Sequence, residues 1–249
     1  MFVAQSDRAA LVTGGARRVG RAIVLELARG GCDVAVHYRR SRAEAQTLVE
    51  EVRGLGRRAI AVEGDLSRAE DCPRIVQDTV DQLGRLNILV NNASVFHTDG
   101  KDTLAEFDAR RWRSTLETNL ISPVALCQAA QSQLQSNGKG KVVNLCDISA
   151  ERPWPDQLAY CASKAALAAV TRALAKAMAP LVQVNGVAPG IAVFPEEYSP
   201  KLRERLIAKV PLKRAGTPQE IARLVRFLVE EGDYITGQII AIDGGRSVA

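Results

Sequence analysis

Several patterns that mark metal-binding, disulfide-stapled or membrane proteins are missing from this 249-residue chain. It has no CxxC pair, and its five cysteines, Cys32, Cys72, Cys127, Cys146 and Cys161, are scattered and odd in number. That pattern argues for reduced thiols and a cytoplasmic setting, not a disulfide framework. Only two histidines occur, His37 and His97, without metal-ligand spacing, so no metal is expected. No run of eighteen apolar residues offers a membrane span, and the first ten residues, MFVAQSDRAA, lack the apolar core of a signal peptide. No basic stretch is interleaved with aromatics, which leaves nucleic acid out of the expected partners. Internal repeats and low-complexity tracts are absent too.

The length suits one large α/β domain over 1–249, and no linker is long enough to divide it. A hydrophobic fraction of 47% supports a sizeable core, and 24% charged residues is ordinary. The net charge of +5 fits either a phosphorylated cofactor or acidic substrate, or simply solvated helix faces. Near-continuous apolar, β-branched runs predict strands at Ala9–Thr13, Cys32–His37, Ala59–Val62, Ile88–Asn91, Lys141–Cys146, Gln183–Val187 and Ile239–Ile242. Helical patterns fall between them at Val19–Ala28, Arg42–Leu55, Arg68–Leu83, Leu104–Glu117, Leu120–Gln135 and Ala159–Ala179. Such alternation implies a doubly wound parallel sheet of about seven strands, the Rossmann arrangement, with helices on both faces. The least regular stretch, Ile191–Lys201, holds Pro195 and Pro200 and follows the tight Pro189–Gly190 turn, a natural place for a substrate loop or lid.

Three clusters carry chemistry. After the first strand, Gly14, Gly15 and Gly20 frame a turn into a helix. Glycines let backbone approach a pyrophosphate, and the helix N-terminus favours its charge, although a plain turn would read alike. At the end of the second strand, His37-Tyr38-Arg39-Arg40-Ser41 contains no acidic residue to bind ribose hydroxyls. Arg39, Arg40 and Ser41 instead offer donors to a 2′-phosphate and favour NADPH, unless the arginines are only loop surface. Finally, Tyr160 and Lys164 stand at i and i+4 on one helix face. A nearby ammonium is expected to stabilise the phenolate and lower the tyrosine's pKa. Asp147 lies thirteen positions earlier, just past the fifth strand. It reads as a proton-relay partner and acceptor of substrate N–H groups, or as a turn-capping loop aspartate.

TGGARRVG at 13–20, NNAS at 91–94, and the Asp147…Tyr160…Lys164 spacing resemble the short-chain dehydrogenase/reductase family over nearly the whole chain, and its pteridine reductase branch in particular. Most of that family has serine where Asp147 stands. The resemblance implies that Asn119 supports the catalytic lysine through water and that Lys164 also bonds the nicotinamide ribose. It places Arg18, where glycine is usual, near both cofactor phosphates and pterin, and it adds Val19 and Leu66 to the cofactor set. Asn92, Ala93, Ser94, Pro189 and Gly190 join that set on the same ground. Asp65 contacts adenine in the family, although Asp65 would equally cap the following helix. Ser94 and Phe96 are implied to meet the substrate, the phenylalanine by stacking on a flat heterocycle, unless it is a core residue. Ala192 stands where relatives can carry serine, and Trp154 reads as loop packing or as a pocket wall. The implied activity is NADPH-dependent reduction of a pterin, with dihydrofolate as a further substrate, by a homotetramer. A 3-oxoacyl thioester reductase and a non-catalytic NADP-binding protein are the rival readings.

Overall fold

Neighbouring residues in the first strand diverge: Ala9 and Leu11 pack into one apolar cluster, Ala10 and Val12 into another. All four are buried, because a strand's side chains alternate and this sheet is covered on both faces. The computed structural model describes residues 8–136 and 138–249. The reading of the N-terminus as lacking a signal peptide falls largely on residues 1–7, outside the described residues.

Seven parallel strands run in the order β3-β2-β1-β4-β5-β6-β7. They are β1 (Ala9–Val12), β2 (Asp33–Tyr38), β3 (Ala59–Glu63), β4 (Ile88–Asn91), β5 (Gly140–Leu145), β6 (Val182–Pro189) and β7 (Ile239–Ile242). Each coincides with one predicted run. Register pairs Val12 with Val36 of β2 on one side and with Val90 of β4 on the other. The order reverses between β1 and β4, so the loops leaving their carboxyl ends part and open a crevice.

One face carries α1 (Arg18–Arg29), α2 (Arg42–Gly54) and α8 (Pro218–Glu230), whose Ile23, Leu27, Leu48, Ile221 and Val225 share a cluster with β1, β2 and β4. The other face carries α3 (Cys72–Leu83), α5 (Ser122–Gln135) and α6 (Leu158–Met178), with Ile75, Leu83, Leu126, Leu134 and Met178 in its cluster. The remaining helices are α4 (Ala109–Leu116) and α7 (Pro200–Ala208).

Helix boundaries depart from expectation in three places. The predicted helix from Leu104 begins only at Ala109, because Asp108 caps it by accepting from the Arg110 amide. Leu104 and Phe107, counted as its apolar face, are exposed. The helix predicted from Arg68 starts as a 3-10 turn over Ala69–Asp71 and becomes α-helical at Cys72. Pro200 does not belong to the irregular loop but opens α7, with Ser199 capping the Leu202 amide.

Among the described residues, no helix is long and apolar enough to cross a membrane, and no trio of His, Cys, Asp or Glu could hold a metal ion. The five cysteines are buried free thiols.

At the amino end of β2 sits the main buried charge of the sheet. Asp33 accepts from Arg57 Nη2 at 2.8 Å, from Arg58 Nε at 3.1 Å and from the Arg58 amide at 3.0 Å, with Arg85 at 3.3 Å. Burial alone would raise its pKa, but the bonds from Arg58 and Arg57 hold it below the ordinary carboxylate value. Its stabilising contribution is therefore complete above the unfolded pKa of about 3.9 and is lost as pH falls through the lower folded value. Asp33→Ala should cost about 1–3 kcal/mol, because its hydrogen bonds are lost while Arg58 and Arg85 remain partly open to solvent. Denaturant unfolding at neutral pH measures this, and a change below about 1 kcal/mol would show that the arginines re-solvate freely.

Candidate active site

The crevice at the β1–β4 divergence is a cleft of about 470 Å³, lined at its base by Gly14, Val19, Gly20 and Asn92 and at its rim by Arg17, Arg18 and Arg39. Gly14 has φ +59°, a left-handed conformation that favours glycine. A Cβ on Gly20 would stand 2.2 Å from the Gly14 carbonyl oxygen. The turn is thus closed to side chains where a phosphate would need bare backbone, which fits a dinucleotide pyrophosphate at the start of α1.

Side chains behind the turn hold its shape. The Asn92 amide nitrogen donates to the carbonyls of Thr13 at 2.8 Å and Gly14 at 3.2 Å. Thr13 Oγ1 accepts from the amides of Asn92 and Ala93. His37, expected to meet the cofactor, is buried with both ring nitrogens engaged. Nδ1 accepts from the Gly14 amide at 3.1 Å, which leaves Nε2 to donate to the Gly64 carbonyl at 3.2 Å. Burial lowers its pKa to about 4, so the ring is neutral and buttresses the turn.

Arg18 is exposed and has φ +51°, uncommon for a residue with a Cβ. Arg39 lies 3.6 Å from Asp65. Asp65 lines the cleft with Leu66, and it accepts from the Ser67 amide and hydroxyl, so it caps that turn and not α3. Arg40 and Ser41 lie outside the cleft lining; Arg40 is exposed, and Ser41 precedes α2 without a side-chain cap. Pro189 and Gly190 end β6, where a Cβ on Gly190 would stand 2.8 Å from Asp243, and they do not line the cleft either.

The cleft continues past Ser94 and Phe96 to Tyr160. β5 and the turn after it deliver Asp147 in extended conformation, with Oδ1 accepting from the Ser149 amide at 2.7 Å. Tyr160 Oη donates to Asp147 Oδ2 at 3.0 Å. Lys164 Nζ donates to the Leu145 carbonyl at 2.7 Å and lies 5.7 Å from the Tyr160 ring centre. Burial pushes the Asp147 pKa up, against the Ser149 amide and the Lys164 charge. Burial also lowers Lys164. The expected depression of Tyr160 is not found: burial, then the neighbouring Asp147 carboxylate, drive its pKa well above 10. Tyr160 is therefore a protonated donor to Asp147, and the part-buried carboxyl shares that proton-bearing contact.

Phe96 is half-buried, not a core residue, and meets Tyr160 edge-on with ring centres 4.9 Å apart. The Trp154 ring is parallel to Tyr160 within 11° at 6.3 Å, but Trp154 does not itself line the cleft. Asn119 comes from a π-turn over Glu117–Ile121, a feature common at functional sites. Its Oδ1 accepts from the Val95 amide at 2.7 Å, and its Nδ2 donates to Val95 O and Ser163 Oγ at 3.0 Å each. It thereby ties the loop after β4 to the tyrosine helix, without touching Lys164 directly. Ala192 packs against the core beside α1, and Val193 reaches the cleft from the predicted substrate loop.

One positioning residue escaped the sequence reading. Asp102 is buried, and its carboxylate accepts from the amides of Ala159 at 3.0 Å and Tyr160 at 3.3 Å. It caps α6 from 57 residues away, satisfying first-turn donors and setting the tyrosine's backbone. A wider depression of about 750 Å³ lies between the α3 approach and α4, lined by Arg68, Arg110, Arg113 and Glu117. It lacks strand ends and a glycine turn, so the chemistry is assigned to the first cleft.

Known proteins share this layout. A family model described as enoyl-(acyl carrier protein) reductase matches residues 14–247. The 3-oxoacyl-[acyl-carrier-protein] reductase FabG of Staphylococcus aureus is 34% identical over 242 residues, 96% of this chain and 97% of that protein. FolM alternative dihydrofolate reductase 1 from Brucella canis, solved with NADP, superposes with a TM-score of 0.92 at 37% identity, covering 99% of this chain and 96% of that one. A blue fluorescent protein from a metagenomic library, solved with NADPH, superposes at 0.90 with 33% identity over 98% of this chain and 99% of that one.

The Asp102 cap has a measurable consequence. Asp102→Ala should cost about 1–2 kcal/mol of stability. It should lower kcat by about ten- to a hundredfold, because small misplacements of a reacting group carry penalties of that order. Asp102→Asn, which keeps an acceptor, should recover most of the rate. A wild-type kcat in the alanine variant would show that α6 finds its position without this carboxylate.

Proposed function

The chain belongs to the short-chain dehydrogenase/reductase family, and from that premise we propose that it is a cytoplasmic, NADPH-dependent reductase of dihydropterins that also accepts dihydrofolate. The observation that carries this reading is the Tyr160–Asp147 hydrogen bond, 3.0 Å long and part-buried. Reducing a ring C=N bond needs hydride on carbon and a proton on nitrogen. A carboxyl with a raised pKa bonded to a phenol can hold and deliver that proton. A 3-oxoacyl carbonyl needs no titratable acid beside the tyrosine, so its reduction leaves the Asp147 carboxyl without a role.

Bound at the glycine turn, the nicotinamide cofactor would supply the hydride. Gly14 and Gly20 leave room for its pyrophosphate, and Arg18 and Arg39 offer charge to its phosphates. Lys164, held by Leu145, would reach the ribose, while Phe96 and Ser94 bound the substrate's plane and edge. Arg40, Ser41, Pro189 and Gly190 are assigned secondary cofactor contacts, and the 191–199 segment a covering role. The Brucella canis neighbour bears the name of a dihydrofolate reductase, which favours a pteridine substrate. The FabG similarity over almost the full length keeps 3-oxoacyl reduction as the second reading. A homotetramer is the proposed assembly, supported by exposed Phe227 on α8 and partly exposed isoleucines on the edge strand β7.

NADPH oxidation followed with a dihydropterin, dihydrofolate and a 3-oxoacyl thioester tests the assignment. The wild type should prefer the first two, and Asp147→Ser should reduce pterin turnover by about a hundredfold. The pH profile adds a sign. Asp147 is active when protonated, so kcat/KM should fall as pH rises through its raised pKa. That limb should lie above the ordinary carboxylate value of about 4 and disappear in Asp147→Ser. A wild type that reduces only the thioester overturns the proposal.

Arg18 supplies a second test. Glycine would relieve the positive φ, worth about 1–2 kcal/mol, but would loosen the unfolded chain by a comparable amount. Arg18→Gly should therefore leave the melting temperature nearly unchanged while raising the NADPH KM by about tenfold or more. An unchanged KM would remove Arg18 from the cofactor site.

A further inference from the structure

A cationic, aromatic rim stands beyond the tyrosine and has no part in the chemistry described so far. The turn after β7 places Arg246 with its guanidinium carbon 5.7 Å from the centre of the Trp154 ring. Trp154 in turn lies parallel to Tyr160. One aromatic ring therefore separates the arginine from the reacting tyrosine. The arginine's backbone is well fixed: Asp243 accepts from the Gly245 and Ser247 amides, at 2.9 and 2.6 Å. Arg152 Nε donates to the Ser247 carbonyl at 2.8 Å, fastening this turn to the Trp154 loop. Burial, then the Asp156 and Glu197 charges, raise the Tyr198 pKa, and the Arg246 charge opposes them. Arg203 shapes the Tyr198 segment by donating to the carbonyls of Pro195, Glu196 and Tyr198. Among the described residues, no carboxylate lies within ion-pair distance of Arg246 or Arg152.

We propose that Arg246, with Trp154 beside it, is a subsite for a substrate extension consisting of an aromatic spacer that ends in a carboxylate, so that the enzyme favours conjugated over unconjugated dihydropterins. The inference rests on the pterin reading and names the substrate class within it. A flat spacer meets the part-exposed Trp154 at the ring's edge, since its faces look toward Arg246 and Tyr160. The guanidinium, delocalised and forked, receives the terminal carboxylate. Arg152 adds charge from the same loop. An unconjugated pterin reaches only as far as Phe96 and Tyr160 and leaves the rim unused.

The test compares the holoenzyme's kinetics on dihydrofolate and on dihydrobiopterin, which lacks the extension, with wild type, Arg246→Gln and Arg246→Lys. In the wild type the dihydrofolate KM should be the lower. Arg246→Gln should raise it about tenfold relative to the dihydrobiopterin KM, with kcat on dihydrofolate retained. Arg246→Lys should recover part of the difference, and added salt should erode it. Equal KM changes for both substrates would indicate a structural role and overturn the subsite, as would no change for either. A wild type that reduces dihydrobiopterin but not dihydrofolate overturns the subsite while the pterin reading stands. A wild type that reduces neither overturns the pterin reading and this inference with it.

Discussion

A carboxylate and a phenol share one hydrogen bond inside the protein, and much of the surrounding structure is arranged to make that tolerable. Asp147 is largely withdrawn from solvent, and such a carboxylate is costly unless it is paired or protonated. The Ser149 amide takes one oxygen and the Tyr160 hydroxyl the other, while Lys164 supplies charge nearby. Each of these partners depends on a separate element. Ser149 belongs to the short 3-10 turn after β5, and Tyr160 and Lys164 to α6. The start of α6 is held by Asp102 and its Ser163 side by Asn119, both from the other bank of the crevice. A change in any of them alters the distance or the solvation of the pair, and with it the protonation state.

The glycine turn shows a different division of labour. Residues expected to touch a ligand hold the turn from behind. His37 gives its Nδ1 lone pair to the Gly14 amide, and Asn92 donates to two turn carbonyls. That leaves the outward surface to bare glycine backbone and to Arg18 and Arg39 at the rim. Pre-organisation of this kind reduces the ordering cost of binding a phosphate, because the donors already point the right way. It also explains why a neutral imidazole is suited to position 37. A protonated ring would lose the lone pair that accepts from Gly14, and burial opposes that protonation.

What was legible in the sequence follows from the same physics. All seven strands could be read because strands covered on both faces leave nearly unbroken apolar runs. The glycine turn and the Tyr160–Lys164 face were equally visible, since local spacing carries them. α7 and α8 went unread, although Ser199-Pro200 and Thr217-Pro218 with Glu220 are cap signatures, the latter a full capping box. The helix expected from Leu104 was overextended because Leu104 and Phe107 imitate a buried face while facing solvent. Asp102 was illegible for another reason: its partners are the amides of α6, and nothing in local spacing points across 57 residues. The raised pKa of Tyr160 was missed likewise, because spacing reveals a nearby lysine but not the degree of burial.

The contest between a pteridine and a 3-oxoacyl substrate turns on residues that fold similarity does not weigh. One fold hosts many chemistries, so whole-chain identity does not by itself name a substrate. Its value against FabG, 34%, and against the FolM structure, 37%, is therefore nearly indifferent to substrate. Asp147, Phe96 and Arg18 are not indifferent. A serine at position 147 would present a neutral hydroxyl, whereas Asp147 presents a titratable acid whose pKa burial has moved toward the working range. Phe96, edge-on to Tyr160, gives the cleft an aromatic wall suited to a flat heterocycle. A flexible acyl chain would gain little from a flat aromatic face. The acid and the aromatic wall point to the same kind of molecule, and they do so independently of each other.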